Sequence, residues 1–214
     1  MGPVLYPPWS NTALWVAIVI ALLLLCVVVA APMIWVRTPY VTGENQEIDQ
    51  PVKFDHRHHV RDDGIDCLYC HENATRSPYA GVPPTERCMG CHAQIWTNSP
   101  ELARVRESFF ENRPLAWLRV NSLPKFVFFD HSIHLANGIG CIECHGRVDE
   151  MPEVRAAAPL TMSWCLDCHR DPVPHVRPPE RVTDMTYSAP LSERRNIAAR
   201  LGVRSLTSCS TCHR

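Results

Sequence analysis

Charge is missing from the first 36 residues of this 214-residue chain, and lysine is nearly missing from all of it. Lys53 and Lys125 stand against 19 arginines, and 22 acidic residues offset 21 basic ones for a net charge of −1. The basic excess of a nucleic-acid binder is therefore absent, and nucleic acid is not an expected partner. Long periodic stretches are scarce as well, because 19 prolines and turn-rich runs such as 79–84 and 171–174 divide the chain into short pieces. With 46% apolar and 20% charged residues the composition is neither disordered nor collagenous. What abounds is cysteine and histidine, 11 of each.

The uncharged start holds an apolar run from Ala13 to Val36. As a helix it reaches roughly 36 Å, enough to cross a hydrocarbon core of about 30 Å with some tilt, so one transmembrane helix is expected over about 13–36. Trp9 and Trp15 near one end and Trp35 and Tyr40 near the other suit the two interfaces, and Pro32 lies close enough to the end to bend the helix without removing it. A cleaved signal peptide would carry a basic segment before a shorter apolar core, and no Lys or Arg precedes this one. Cys26 follows Leu23, Leu24 and Leu25 without the small residue of a lipoprotein cleavage site, so it reads as a plain apolar-side thiol.

The other ten cysteines form five C-x-x-C-H pentads, pairing Cys67 with Cys70, Cys88 with Cys91, Cys141 with Cys144, Cys165 with Cys168 and Cys209 with Cys212. Two thiols three residues apart reach the two vinyl groups of one haem, and the adjoining His is held beneath the iron as proximal ligand. His71, His92, His145, His169 and His213 take that role, and five covalently attached haem c groups are expected. Zinc would not require a His after every second Cys, and a thioredoxin-like protein would carry one active pair in a βαβ setting. Five haems in roughly 175 residues leave about 35 residues each, too few for separate packed shells, so the porphyrins must supply much of the core. The expected fold is mainly α with much irregular chain, a membrane anchor at 1–40 and a haem-packed multihaem cytochrome c domain at 41–214. The clearest soluble helix starts at Ser99 as N-cap, with Pro100 and Glu101 in its first turn and Leu102, Val105 and Phe109 on one face, and it stops before Pro114. Residues 126–129 read either as a short strand or as an apolar segment lying on a haem.

An internal repeat organises this domain. Phe54-Asp55-His56-Arg57-His58-His59 precedes the first pentad by seven residues, and Phe129-Asp130-His131-Ser132-Ile133-His134 precedes the third by six. The chain thus reads as two di-haem units, about 50–100 and 123–175, with a fifth haem at the C-terminus. His56, His59, His131 and His134 are the expected distal ligands, and His58 has no counterpart in the second repeat. The fifth distal ligand stays open among His175, Met151, Met162 and Met185, a Met raising the haem potential relative to paired imidazoles. Five haems bring on the order of ten propionate charges, for which the arginine fork is suited, so Arg147, Arg170 and Arg177, close to the pentads, are candidate propionate partners.

The F-x-H-x-x-H segments ahead of C-x-x-C-H resemble class III cytochromes of the c3 and c7 type over roughly residues 50–214. One membrane helix, five haem sites and the segments 123–126, 129–131, 146–151 and 160–165 are similar to the pentahaem subunit of alternative complex III. That resemblance implies a subunit of a quinol-oxidising complex. Its partners would be a polytopic quinol-binding membrane protein, an iron–sulfur protein and a monohaem cytochrome c, all beside the lipid bilayer. Haem c attachment by the usual bacterial machinery implies a single-pass protein in the cytoplasmic membrane, N-terminus inside and haem domain outside, although Arg37 and Lys53 after the helix bias the other way.

Two other functions compete with an electron-transfer subunit. A multihaem oxyanion reductase needs an open iron, whereas here every pentad ends in His and enough free His and Met remain to fill five distal positions. A membrane-anchored multihaem quinol dehydrogenase feeding a periplasmic reductase shares the anchor and the haems, but about 30 residues separate Val36 from Cys67 and no obvious quinol-binding acid follows the helix.

Overall fold

In the computed structural model, which describes residues 6–213, the uncharged run forms a 26-residue helix, Ser10–Trp35. It begins three residues earlier than its apolar stretch, Ser10 Oγ donating to Pro7 O at 2.7 Å. Pro32 does not end it, since Val36 N still donates to Pro32 O at 3.0 Å. The Arg37 guanidinium covers the Met33 carbonyl, one of those a helix C-terminus leaves open, and Trp35 packs on Tyr40 with ring centroids 5.2 Å apart. No side chain along this helix is buried, so its apolar surface faces outward on all sides, as in a helix solvated by lipid. It is long and apolar enough to be a single-pass membrane anchor. The chain divides into two units, 1–42 and 43–214.

The second unit is built from short helical turns. Each pentad sits on one: Cys67–Cys70, Thr85–His92, Cys141–His145, Met162–Arg170 and Cys209–Cys212. Side-chain caps start two of them, Asp66 accepting from Leu68 N and Thr161 from Trp164 N. The helix read from Ser99 opens as a 3-10 turn, Pro100–Leu102, with Ser99 accepting from Glu101 N, and continues as Ala103–Phe110. Its Leu102 and Val105 are buried with Val52 and Met89, and Phe109 packs on them. Residues 126–129 form no strand. Among the described residues the only β pairing is three isolated bridges, Glu44–Ala156, Glu47–Arg155 and Ile139–Val176.

The two F-D-H-x-x-H segments fold alike despite unequal spacers. In the second, Asp130 caps the helix His131–Ala136, and Ile139 N donates to His134 O. In the first, Arg57–Asp62 is a π-helix, and Ile65 N donates to His59 O. Ile65 and Ile139 each stand two residues before a pentad. The one extra residue of the first spacer is thus absorbed by a π turn, which accommodates one more residue than an α turn.

Apolar packing between these turns is thin. Thirteen apolar side chains are buried among the described residues, mostly in three small clusters centred on Val105, Leu135 and Val176. A unit of this length normally closes around one contiguous core, so a further apolar component must fill the space between the turns. Gly138 marks the tightest backbone approach. It has φ +76°, and a Cβ there would lie 2.2 Å from the Arg177 carbonyl oxygen. Gly138→Ala is expected to cost at least about 2 kcal/mol from combined strain and overlap, read as a lowered thermal midpoint. An unchanged midpoint would show that this approach is not part of the fold.

Candidate functional site

The repeated Phe orders its histidines in the same way twice. Phe54 meets His56 edge-on, 4.7 Å and 84°, and lies over His59 at 4.3 Å and 30°. Phe129 meets His131 at 4.7 Å and 86°, and His134 at 4.6 Å and 31°. The last residue of each motif is pinned to the second, His59 Nδ1 donating to Asp55 O at 2.9 Å and His134 Nδ1 to Asp130 O at 2.7 Å.

These imidazoles face pentad histidines. Ring centroids are 6.1 Å apart for His59 and His92, 6.3 Å for His131 and His145, and 6.2 Å for His134 and His169. The interplanar angles are 64°, 8° and 72° respectively. His56 lies within electrostatic reach of His71. Each motif therefore lies near both pentads of its own unit, its first imidazole by the nearer pentad and its second facing the farther.

A common hydrogen-bond pattern fixes how the rings point. Nδ1 donates to a backbone carbonyl in His71 (Gly81, 2.8 Å), His92 (Ile95, 3.1 Å), His169 (Leu206, 3.2 Å), His213 (Phe126, 3.1 Å) and His131 (Pro78). With the proton on Nδ1, the Nε2 lone pair is free, the tautomer a metal-bound imidazole requires. His145 Nδ1 lies 3.1 Å from the Asn121 amide, whose buried Oδ1 has no partner. Turning that amide over gives His145 the same donor arrangement. Burial, with the neighbouring imidazoles second, pushes both His56 and His145 down to about 4, keeping them neutral. His58, by contrast, is exposed beside the Asp62 and Asp55 carboxylates.

The thiols also converge. Burial raises Cys144 to about 12 and Cys168 to about 11, with Cys144 and Cys165 within each other's field, and likewise Cys165 and Cys212. Cys70 neighbours Cys88 and Cys91, and the Cys67 and Cys141 thiols lie close enough to act on each other. The pentads thus lie in the spatial order second, first, third, fourth, fifth.

The remaining candidates are scattered. His175 Nδ1 bonds Glu143 Oε2 at 2.8 Å, inside the third pentad, not beside His213, whose ring neighbour is Phe126 at 5.9 Å. Met151 is buried, with its methyl near Gly146. Met185 lines a hollow together with Cys67 and Asp149, and Met162 is 68% exposed one turn ahead of Cys165. Arg147 pairs with Asp149 and Glu150, Arg170 with Asp167, and Arg177 with Glu143. Asn121 and the carbonyls of Gly81, Leu206 and Phe126 were not anticipated from the sequence, and a backbone acceptor distant along the chain leaves no sequence signal.

Short helical turns, each bearing a C-x-x-C-H pentad, with opposed imidazoles and a thin protein core, are the arrangement that a multihaem c-type cytochrome requires. Residues 127–214 match the family described as cytochrome c7 and related cytochrome c; this part of the chain is cytochrome c7-like, which implies covalently bound haem c. The chain is also 35% identical over 119 residues to the multiheme cytochrome c subunit of menaquinone reductase from Nitratidesulfovibrio vulgaris (strain Hildenborough). The aligned stretch is 55% of this chain and 55% of that protein, so the chain spans about half the length of the curated relative it matches.

The residues present fit such a group. An iron bound by two imidazole nitrogens at about 2.0 Å, with each ring centroid about 1.1 Å further out, sets centroids about 6 Å apart, as in the three measured pairs. Large apolar side chains stand exposed around the same positions, among them Ile133, Phe126 and Phe128, and a macrocycle would cover them.

Proposed function

We propose that this chain is a membrane-anchored pentahaem c-type cytochrome, the electron-transfer subunit of a quinone-linked respiratory complex. The observation that carries this reading is the three imidazole pairs at 6.1–6.3 Å, whose saturated irons would exchange electrons without binding substrate. Haem c supplies reversible one-electron iron chemistry when bound. The chain's own work is to tether, saturate and orient. Each Cys pair fixes one edge, and His71, His92, His145, His169 and His213 hold the proximal faces. His56 serves the site of His71, His59 that of His92, His131 that of His145 and His134 that of His169. Carbonyl acceptors hold the imidazole planes at fixed angles, which limits reorganisation as electrons pass.

For the fifth site, Met162 is the distal ligand best supported. It lies one helical turn before Cys165, on the same face, and Cys165 neighbours Cys212. Its exposed thioether has no core to fill. Met162→Leu is expected to lower the highest midpoint potential by on the order of 0.1 V or more while haem count stays at five, as potentiometric titration would read. A highest potential unmoved by the substitution would return Met162 to an ordinary surface residue.

In this reading the domain lies at the outer face of the cytoplasmic membrane with the N-terminus inside, because haem c attachment by the usual bacterial machinery takes place there. Partners of the alternative complex III kind fit this reading: a polytopic quinone-binding subunit, an iron–sulfur subunit and a monohaem cytochrome c, with electrons leaving quinol. The menaquinone reductase relative favours a second direction, in which the same relay delivers electrons toward quinone. Purifying the native complex and mixing it with a quinol in one experiment, and with a reduced soluble cytochrome followed by a quinone in another, tests both. Haem reduction by quinol, blocked by a quinone-site inhibitor, supports the first direction, and haem oxidation by added quinone supports the second. A chain that purifies without membrane partners and exchanges electrons with neither would overturn both.

A further inference from the structure

Arg177 is 1% exposed, yet its charge is not placed to meet solvent or an exposed ligand. Its Nη2 donates to Glu143 Oε1 and its Nη1 to Asp184 O, both at 2.8 Å, while its backbone N donates to Gly138 O at 2.8 Å. Tyr187 lies over the guanidinium at 5.3 Å. Burying an arginine is costly, and a buried charge of this kind stabilises less than it specifies geometry. The geometry specified here is unusual in linking two attachment sites. Glu143 lies within the third pentad. Asp184 follows Thr183, whose hydroxyl donates to Asp66 Oδ2 at 2.7 Å and whose carbonyl lies 4.0 Å from Cys67 Sγ. Asp66 in turn caps the turn that carries the first pentad. One residue earlier, Val182 O accepts from Cys141 N at 2.9 Å, and the Val182 side chain is buried in the cluster against which Cys141 and Leu68 pack.

We propose that residues 176–187 form a positioning strap that sets the separation of the first and third haem attachment sites, making that pair the junction through which electrons pass between the two di-haem units. The inference rests on the pentahaem reading. Consecutive residues of the strap hold the leading cysteine of each site, so the two thioether edges meet there. Arg177 locks the strap to the third site, and Thr183 locks it to the first. Electron exchange falls steeply with separation, so a strap that loosens by an ångström or two slows this one step and leaves the haems in place. Arg177 is thus a positioning residue, acting through Glu143 and the Asp184 carbonyl.

The test uses the full chain loaded with haem, comparing wild type, Arg177→Met, Arg177→Lys and Thr183→Val. Intact mass counts thioether-bound haems, low-temperature EPR reads magnetic coupling between neighbouring low-spin irons, and rapid-mixing spectroscopy follows electron equilibration between the halves. The expected result is five haems throughout, with weakened coupling and at least tenfold slower equilibration in Arg177→Met. Arg177→Lys should restore little, because an ammonium lacks the fork that spans Glu143 and Asp184. Thr183→Val should move both readings the same way by a smaller amount, and it decides the matter if Arg177→Met loses haem. Unchanged coupling and equilibration in Thr183→Val and in a fully loaded Arg177→Met would overturn the strap. Fewer than five haems on the wild-type chain would instead count against the pentahaem reading.

Discussion

Replacing Cys141 and Cys144 together by Ala is expected to leave a chain with four haems that no longer holds its fold. The third pentad is the most enclosed of the five. Cys141 packs against the cluster of Ala74, Leu135 and Val182, its N–H bonds Val182 O, and burial raises the Cys144 thiol. With so few buried apolar side chains in the unit, a macrocycle at this place replaces a core that the protein does not itself supply. Losing it leaves a cavity far larger than a Leu→Ala change creates. The expected cost exceeds about 5 kcal/mol, comparable to the whole stability of a typical domain. Limited proteolysis and intact mass read the two effects separately. The matching Cys209→Ala, Cys212→Ala variant is the contrast, because Cys209 is exposed and its site is terminal, so the fifth haem should be lost with the rest intact. Equal protease resistance of the two variants would contradict a haem-built core.

His134→Ala should do the reverse, keeping every haem and changing one iron. Its imidazole faces His169 at 6.2 Å, whereas the tethers at Cys165 and Cys168 do not involve it. The variant is expected to retain five haems by mass and to lose one low-spin signal, with water or a neighbouring side chain entering the vacated position. Electron transfer through the chain should fall by tenfold or more. The stack of Phe129 on His134 and the hydrogen bond to Asp130 O disappear with the ring, so a loss of about 1–3 kcal/mol in stability accompanies the change. Unaltered low-spin spectra with normal electron transfer would make His134 an ordinary buried histidine.

These two variants also divide what is local in this protein from what is not. The pentads and the F-D-H-x-x-H repeat are legible because haem attachment and opposed imidazoles impose fixed short spacings on the chain. The anchor is legible because a 26-residue helix without charge has few other uses. The register of the imidazole pairs is only half legible: the repeat names His59 and His134, but the π turn at 57–62 that lets a longer spacer reach the same place is visible only in the fold. Acceptors for the ring N–H groups escape reading altogether, since Phe126 O serves His213 across 87 residues and any residue has a carbonyl. His175 and Arg177 have a shared partner that sequence proximity does not announce. Both stand near a pentad in sequence, yet the chain returns them to Glu143. The apolar segment 126–129 has the composition of a strand but pairs with no strand among the described residues, and Phe128 N donates instead to Cys212 O beside the fifth pentad.

The angles between opposed rings give the central claim its most direct measurement. Parallel imidazoles donate into the same iron d orbital and split the lower set widely, whereas perpendicular ones act on both orbitals and keep them nearly equal in energy; axial geometry is one of the protein's levers on haem electronics. Low-temperature EPR of the fully oxidised chain, quantified against its haem content, reads this difference. The account predicts five low-spin irons. One should be a rhombic signal from the near-parallel His131 and His145 pair, at 8°. At least two should be strongly anisotropic signals, from His59 with His92 at 64° and His134 with His169 at 72°. A stoichiometric high-spin iron at any of these three sites, or a spin count well short of five, would contradict it.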